Sequence, residues 1–115
     1  MSVNEEYSME SSRFDYIALT KQANFGIKRY NDSIYRGELL NNKRQGLGVM
    51  VYRKARVYEG EWSKDTRNGQ GMERYSNGNR YEGQFYNNKP HGKGIYTWAN
   101  GEVYEGEWGL GLKEG

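Results

Sequence analysis

"YEGEWSKDTRNGQGMERYSNGNR", residues 58–80, opens with a string, Tyr-Glu-Gly-Glu-Trp, that returns unchanged at 104–108. Close variants stand at 81–85, "YEGQF", and at 35–39, "YRGEL". The four starts, Tyr35, Tyr58, Tyr81 and Tyr104, lie 23 residues apart. Other columns keep the same step: Gly46, Gly69 and Gly92; Gly48, Gly71 and Gly94; Tyr52, Tyr75 and Trp98. Asn77-Gly78 and Asn100-Gly101 form a further column, broken by Lys54-Ala55 in the first unit. Self-similarity at a fixed short period marks a repeat architecture and governs every later reading. The units are 35–57, 58–80 and 81–103, with a truncated fourth over 104–115.

Each unit reads as two strands. Residues 58–62 alternate ring, acid, glycine, acid, ring, which is the two-residue period of a strand. Residues 63–68 read as a six-residue polar loop, 69–75 as the second strand, and Asn77-Gly78 as the turn into the next unit. An even loop places its flanking residues opposite one another. This sets Trp62 opposite Gly69, Gly60 opposite Gly71 and Tyr58 opposite Glu73. In the next unit it sets Phe85 opposite Gly92, Gly83 opposite Gly94 and Tyr81 opposite Tyr96. An odd turn of about three residues at Asn77-Gly78 keeps Tyr75 and Tyr81 on that same face. The expected fold is all-β: a single-layer, curved and twisted antiparallel β-meander of hairpin repeats.

One face then carries Tyr35, Tyr58, Trp62, Tyr75, Tyr81, Phe85, Tyr96, Trp98, Tyr104 and Trp108. Gly37, Gly60, Gly71, Gly83, Gly94 and Gly106 share it as structural glycines. A strand glycine costs about 0.5–1 kcal/mol relative to alanine, and rings lying flat on bare backbone offset that cost. The other face mixes Glu59, Glu61, Arg74, Glu82 and Lys93 with Leu47, Val49, Val51, Met72 and Ile95, and is expected to be solvated in part. A single layer has no second layer to bury its rings. Each ring offers roughly 150–250 Å², so a long apolar groove is expected. Exposed apolar surface of that size marks a binding site, here for an amphipathic helix or an extended peptide.

Composition agrees. Only 35% of residues are hydrophobic and 28% are charged, a balance that alone suggests disorder. The 15% aromatic content and 16 glycines against one proline point instead to β-structure packed by rings. A net charge of +2, with no basic run and no zinc-finger spacing, gives no indication of nucleic acid. With no cysteine, disulfides and cysteine metal sites are excluded. No charged-then-apolar leader and no 18-residue apolar run is found, so a cytoplasmic protein is expected.

The unit 81–103, "YEGQFYNNKPHGKGIYTWANGEV", closely resembles the MORN repeat: Tyr-Glu-Gly-x-aromatic, a basic loop, Gly-x-Gly, a ring four residues on, and Asn-Gly. The resemblance covers 35–108, and 26–34, "GIKRYNDSI", resembles the second half of a degenerate preceding unit through Gly26 and Tyr30. It implies an elongated twisted meander with a ring-lined groove, acting in cytoskeletal, ciliary or membrane-apposed assemblies through protein contacts.

Residues 1–25 are net acidic and read as an extension or a cap. The run "SSRFDYIALT", 11–20, fits a helix capped at Ser12 to Asp15 with Phe14, Ile17 and Ala18 on one stripe. It fits a strand with Phe14, Tyr16 and Ala18 together equally well. Either could cover the edge of the first repeat. After Trp108 the sequence shows neither a polar loop nor a second strand, so the last strand is expected to be open to a partner or another copy.

No catalytic site is expected. His91 is the only histidine and reads as a loop residue. The pairs Glu59/Glu61 and Glu105/Glu107 recur by repetition and point outward on a strand. Acid–base or Ca²⁺ chemistry needs a closed cleft or converging oxygens, and no metal or other cofactor is implied. The Gly-x-Gly steps precede no helix and are not phosphate loops. Lys43, Arg44, Lys64, Arg67 and Lys89 are expected in the loops along one edge, where they could attract anionic lipid. The expected function is a non-enzymatic protein–protein interaction scaffold with an aromatic groove. A peripheral module for anionic phospholipid surfaces is the alternative.

Overall fold

The computed structural model describes residues 16–109 and 112–114. They form a short helix, α1 (Tyr16–Thr20), followed by nine strands. These are β1 (Phe25–Arg29), β2 (Ser33–Leu40), β3 (Lys43–Tyr52), β4 (Val57–Ser63), β5 (Thr66–Arg74), β6 (Arg80–Tyr86), β7 (Lys89–Thr97), β8 (Val103–Gly109) and β9 (Leu112–Glu114). All nine belong to one antiparallel sheet in sequence order, the open meander that the period implies.

The register runs through glycine. Gly26 pairs with Gly37, Gly37 with Gly48, Gly48 with Gly60, and Gly60 with Gly71. The row continues through Gly83, Gly94 and Gly106. A bare backbone track therefore crosses eight strands on the ring face, and the rings of Tyr35, Tyr58 and Tyr81 lie over Gly48, Gly71 and Gly94.

The six-residue loop does not exist. Ser63 pairs with Thr66, so the reversal is a two-residue turn at Lys64-Asp65, both at positive φ (50° and 73°). Asn41-Asn42 and Asn87-Asn88 repeat it. Two-residue turns of this hand match strand twist. The remaining residues enter a bulge, where 68–70 oppose Glu61 alone, so Trp62 faces Arg67 and Phe85 faces Pro90 rather than Gly69 and Gly92. The bulge adds two residues to one strand. Parity is unchanged, and the rings stay on one face. The glycine opposite each bulky ring comes from the preceding strand: Gly46 for Trp62, Gly69 for Phe85, Gly92 for Trp108.

A carboxylate or amide locks each bulge. Glu38, Glu61 and Gln84 each accept the backbone N–H of Leu47, Gln70 and Lys93, all at 2.8 Å. Gly69, at φ 93°, supplies the left-handed residue that the bulge requires. At the other edge the turn after β5 has three residues, with Tyr75 N–H bonded to the Asn79 carbonyl and Gly78 at φ 95°. Tyr75 and Tyr81 share a face as expected.

Three expectations at the ends are corrected or placed. Tyr16–Thr20 is helical, and among its described side chains Leu19 is buried while Ala18 is exposed. Leu19 packs on Val49, Val51 and Val57 with Phe25, so the helix covers part of the face opposite the rings rather than an edge. That face is less solvated there than expected. The expectations for residues 1–15 lie outside the described residues. After β8 a further strand, β9, does form, and Gly109 pairs with Leu112. Backbone pairing needs no polar loop, so the missing loop sequence did not end the sheet. The degenerate half-unit supplies β1, and its shorter turn leaves Tyr30 on the ring face beside Arg44, 5.5 Å from ring centroid to guanidinium.

Candidate functional site

The ring face is built in two tiers. Tyr35, Tyr58, Tyr81 and Tyr104 begin or lie early in the odd half of each unit, and Trp62, Phe85 and Trp108 stand four residues on. Tyr58 touches Trp62 and Phe85 edge-on at 5.1 and 5.0 Å, and Tyr81 touches Phe85 and Trp108 at 5.1 and 5.3 Å. Edge-to-face packing suits the aromatic quadrupole. Each tyrosine hydroxyl donates to a carbonyl three residues along its own strand: Tyr35 to Glu38, Tyr58 to Glu61, Tyr81 to Gln84. Burial pushes the hydroxyls of Tyr35, Tyr58 and Tyr75 up, and that of Tyr81 up to about 12. Their hydroxyls stay neutral near neutral pH, and those of Tyr35, Tyr58 and Tyr81 act as donors.

This packing corrects the expected groove. Tyr35, Tyr58 and Tyr81 are 0% exposed, and Trp62, Phe85 and Trp108 are buried as well. Among the described residues no second layer seals them. The rings close on one another, on glycine backbone, and under guanidinium groups. Four rings of the expected set remain half-buried: Tyr75, Tyr96, Trp98 and Tyr104. They adjoin one another through Tyr96, which stacks on Tyr75 at 5.9 Å and on Trp108 at 5.6 Å and meets Trp98 at 4.8 Å. Tyr104 joins them edge-on at Trp108. Asn79 Nδ2 donates to the Tyr96 hydroxyl, and its Oδ1 accepts from Ala99 N–H, which fixes this corner.

The basic residues are also placed differently. Only Lys64 lies in a turn; Lys43, Arg44, Arg67 and Lys89 are strand residues, because the turns shrank to two residues. Arg44 stacks over Trp62 at 4.8 Å and pairs with Asp65 at 2.6 Å. Burial works to raise the Asp65 pKa, but hydrogen bonds and charge from Arg44 outweigh it and hold the carboxyl below the usual range. Arg67 lies over Tyr58 at 5.2 Å and pairs with Glu73 at 2.6 Å. Arg56 reaches the other Glu73 oxygen at 2.9 Å and covers Tyr52 at 4.3 Å.

Glu73, Arg56 and Tyr52 were missed as a cluster. The signal was available: parity set Glu73 opposite Tyr58 on an apolar face, where a carboxylate requires a cation. His91 lies in β7, exposed, with its ring 5.7 Å from Tyr86. Among the described residues, no group of His, Asp and Glu could hold a metal ion, and no helix is long and apolar enough to cross a membrane.

Comparison with known families supplies one match, to the MORN repeat, over residues 35–54, 58–80, 81–103 and 104–115. Comparison with curated proteins gives no match.

Proposed function

This chain belongs to the MORN-repeat family, and from that premise we propose that it is a non-enzymatic scaffold for a partner protein. A helical or extended segment of the partner rests on Tyr75, Tyr96, Trp98 and Tyr104. MORN repeats generally serve as protein- or membrane-interaction modules rather than as enzymes. The observation that carries the reading is the contrast along the ring face. Six rings are sealed, while these four neighbours keep partly exposed edges around Tyr96. Tyrosine and tryptophan in such a setting are the residue types that dominate binding energy. A cytoplasmic place in a cytoskeletal or ciliary assembly is supported by the family resemblance alone.

The alternative, attachment to anionic phospholipid through Lys43, Arg44, Lys64, Arg67 and Lys89, has weaker support. Arg44 and Arg67 are already held by Asp65 and Glu73. The test compares protein recovery from native cell extract by the full chain and by a Tyr96→Ala/Trp98→Ala variant, alongside sedimentation with phosphatidylserine vesicles. A partner lost with the two rings, and no vesicle binding, supports the scaffold. Equal recovery by both chains overturns it. Vesicle binding abolished by Lys43→Glu/Lys64→Glu favours the lipid surface instead.

A further inference from the structure

The face opposite the rings has its own order. One cross-strand row reads Val49, Glu59, Met72, Glu82, Ile95, Glu105, each residue paired with the next. Apolar and acidic residues alternate across six strands. Strands lie about 4.8 Å apart, so the acids recur about every 9.6 Å, with an apolar residue midway.

The two ends of this row differ in what covers them. At the first end Leu19 of α1 sits on Val49, Val51 and Val57, and Val49 is 0% exposed. At the far end Ile95 is 39% exposed and Val103 59%. Glu105 and Glu107 are exposed beside them. A hollow of about 330 Å³ opens there, floored by the backbones of Gly83, Gly94 and Gly106 and walled by Glu82, Lys93, Ile95, Glu105 and Glu107. A second hollow of about 430 Å³ adjoins it through Glu82 and adds Leu47, Glu61 and Gln70. Lys93 is the one cation lining either hollow, and Arg74 and Arg80 flank the row on one side.

We propose that this uncovered half of the acid–apolar face docks a basic amphipathic helix of a partner protein, lying across the strands. The proposal is independent of the ring-face reading, since the two surfaces are opposite sides of one sheet. The occupant follows from the chemistry. The same face already takes an apolar helix residue at its covered end, so the open end is a continuation of a surface built for that contact. The exposed carboxylates of Glu105 and Glu107 favour a cationic partner over an anionic one. In a helix, residues seven apart stand about 10.5 Å from one another on one side, close to the acid spacing. Lys or Arg at i and i+7 would meet Glu82 and Glu105, and an apolar residue at i+3 or i+4 would rest on Ile95. An acidic helix or an anionic membrane would be repelled.

The test uses the full chain and a labelled synthetic helix of about 18 residues, with lysines at i, i+7 and i+14 and leucines between them at i+3 and i+4. A scrambled peptide of the same composition is the control. Binding read by fluorescence anisotropy is expected for the patterned peptide, with Kd rising with salt. Glu105→Gln/Glu107→Gln and, separately, Ile95→Asp are each expected to weaken it at least about tenfold. Tyr96→Ala/Trp98→Ala is expected to leave it unchanged, which separates this site from the ring face. Equal binding of the scrambled peptide reduces the effect to bulk charge and overturns the proposal. So does an unaltered Kd in the Glu105→Gln/Glu107→Gln chain, with circular dichroism checking that these exposed substitutions leave the fold intact.

Discussion

The Tyr58 hydroxyl donates a 2.8 Å hydrogen bond to the carbonyl of Glu61, three residues along the same strand. That carbonyl lies at the bulge, where the regular ladder is interrupted between Gly60 and Trp62. The bond explains why the position is tyrosine and not phenylalanine in every unit. Tyr58→Phe keeps the ring and removes the donor, so a part-buried carbonyl loses its partner at a cost of about 1 kcal/mol. Urea unfolding followed by tryptophan fluorescence reads this directly. Tyr86→Phe, at a ring 56% exposed, is the control and should shift stability by less than about 0.5 kcal/mol.

Two glycines should separate by mechanism. A Cβ at Gly71 would lie 2.7 Å from Cε1 and Cζ of the Tyr58 ring, while nothing stands within 4 Å of one at Gly101, whose φ is 96°. Asparagine tolerates the left-handed region. Gly101→Asn is therefore expected to cost only the strain of its positive φ, about 1 kcal/mol. Gly71→Asn is expected to force the tyrosine off its glycine and cost at least about 1–3 kcal/mol. Equal melting temperatures for the two variants would remove the ring-on-backbone argument.

Glu73 bridges Arg56 and Arg67 on the ring face, with only 4% of its side chain exposed. Removing it strands the half-buried Arg67 guanidinium. Glu73→Ala should cost roughly 3–5 kcal/mol, as for other buried pairs that lose one member. The Arg56 side chain is 38% exposed, and Arg56→Ala should cost no more than about 1 kcal/mol. Replacing both Arg67 and Glu73 by methionine should restore most of the loss, measured as the denaturation midpoint.

What the sequence disclosed follows from what its repeats encode. Columns fixed the period, and parity fixed which side chains share a face, because both depend only on counting. The length of the Lys64-Asp65 turn was misjudged because two residues at positive φ there carry no glycine, and the bulge at Gly69 absorbs the difference without changing parity. Closure of the groove was not legible either. Alternation says that Tyr58 and Trp62 share a face, but only the edge-on geometry of their rings says that they seal one another. Glu73 needed the register before its partners could be named. Leu19 lies in a segment outside the repeat, where no column restrains the reading.

Alkaline pH should unfold the chain earlier than an ordinary tyrosine protein. Burial raises the folded-state pKa of Tyr35 and Tyr58, and of Tyr81 to about 12, above an unfolded value near 10. For a group whose folded pKa is raised, the stability is fully present below the unfolded value and is lost as pH climbs towards the folded one. Each buried tyrosine then removes about 1.4 kcal/mol per pH unit. Absorbance at the phenolate band should show Tyr35, Tyr58 and Tyr81 ionising in one step that coincides with loss of the circular dichroism signal. Ionisation of these three near pH 10, with the fold retained, would contradict this.

The break in the Asn-Gly column offers a gain rather than a loss. Where later units place Gly78 and Gly101, the first places Ala55, at φ 63°, next to Lys54 at φ 59°. Arg56 N–H bonds to the Arg53 carbonyl across these two residues, so the reversal is a turn with both central residues left-handed. That region costs a residue with a Cβ about 1–2 kcal/mol. Glycine avoids the strain but gives back part of the gain through the greater freedom of its unfolded state. Ala55→Gly should therefore stabilise the chain by a net amount of about 0.5–1 kcal/mol, and adding Lys54→Asn should extend the effect, since Asn-Gly is the pair this turn prefers. Differential scanning calorimetry checks it. Ala55 is exposed, so the gain cannot come from packing, and a lower melting temperature for Ala55→Gly would mean that the left-handed strain assigned to this turn is not present in solution.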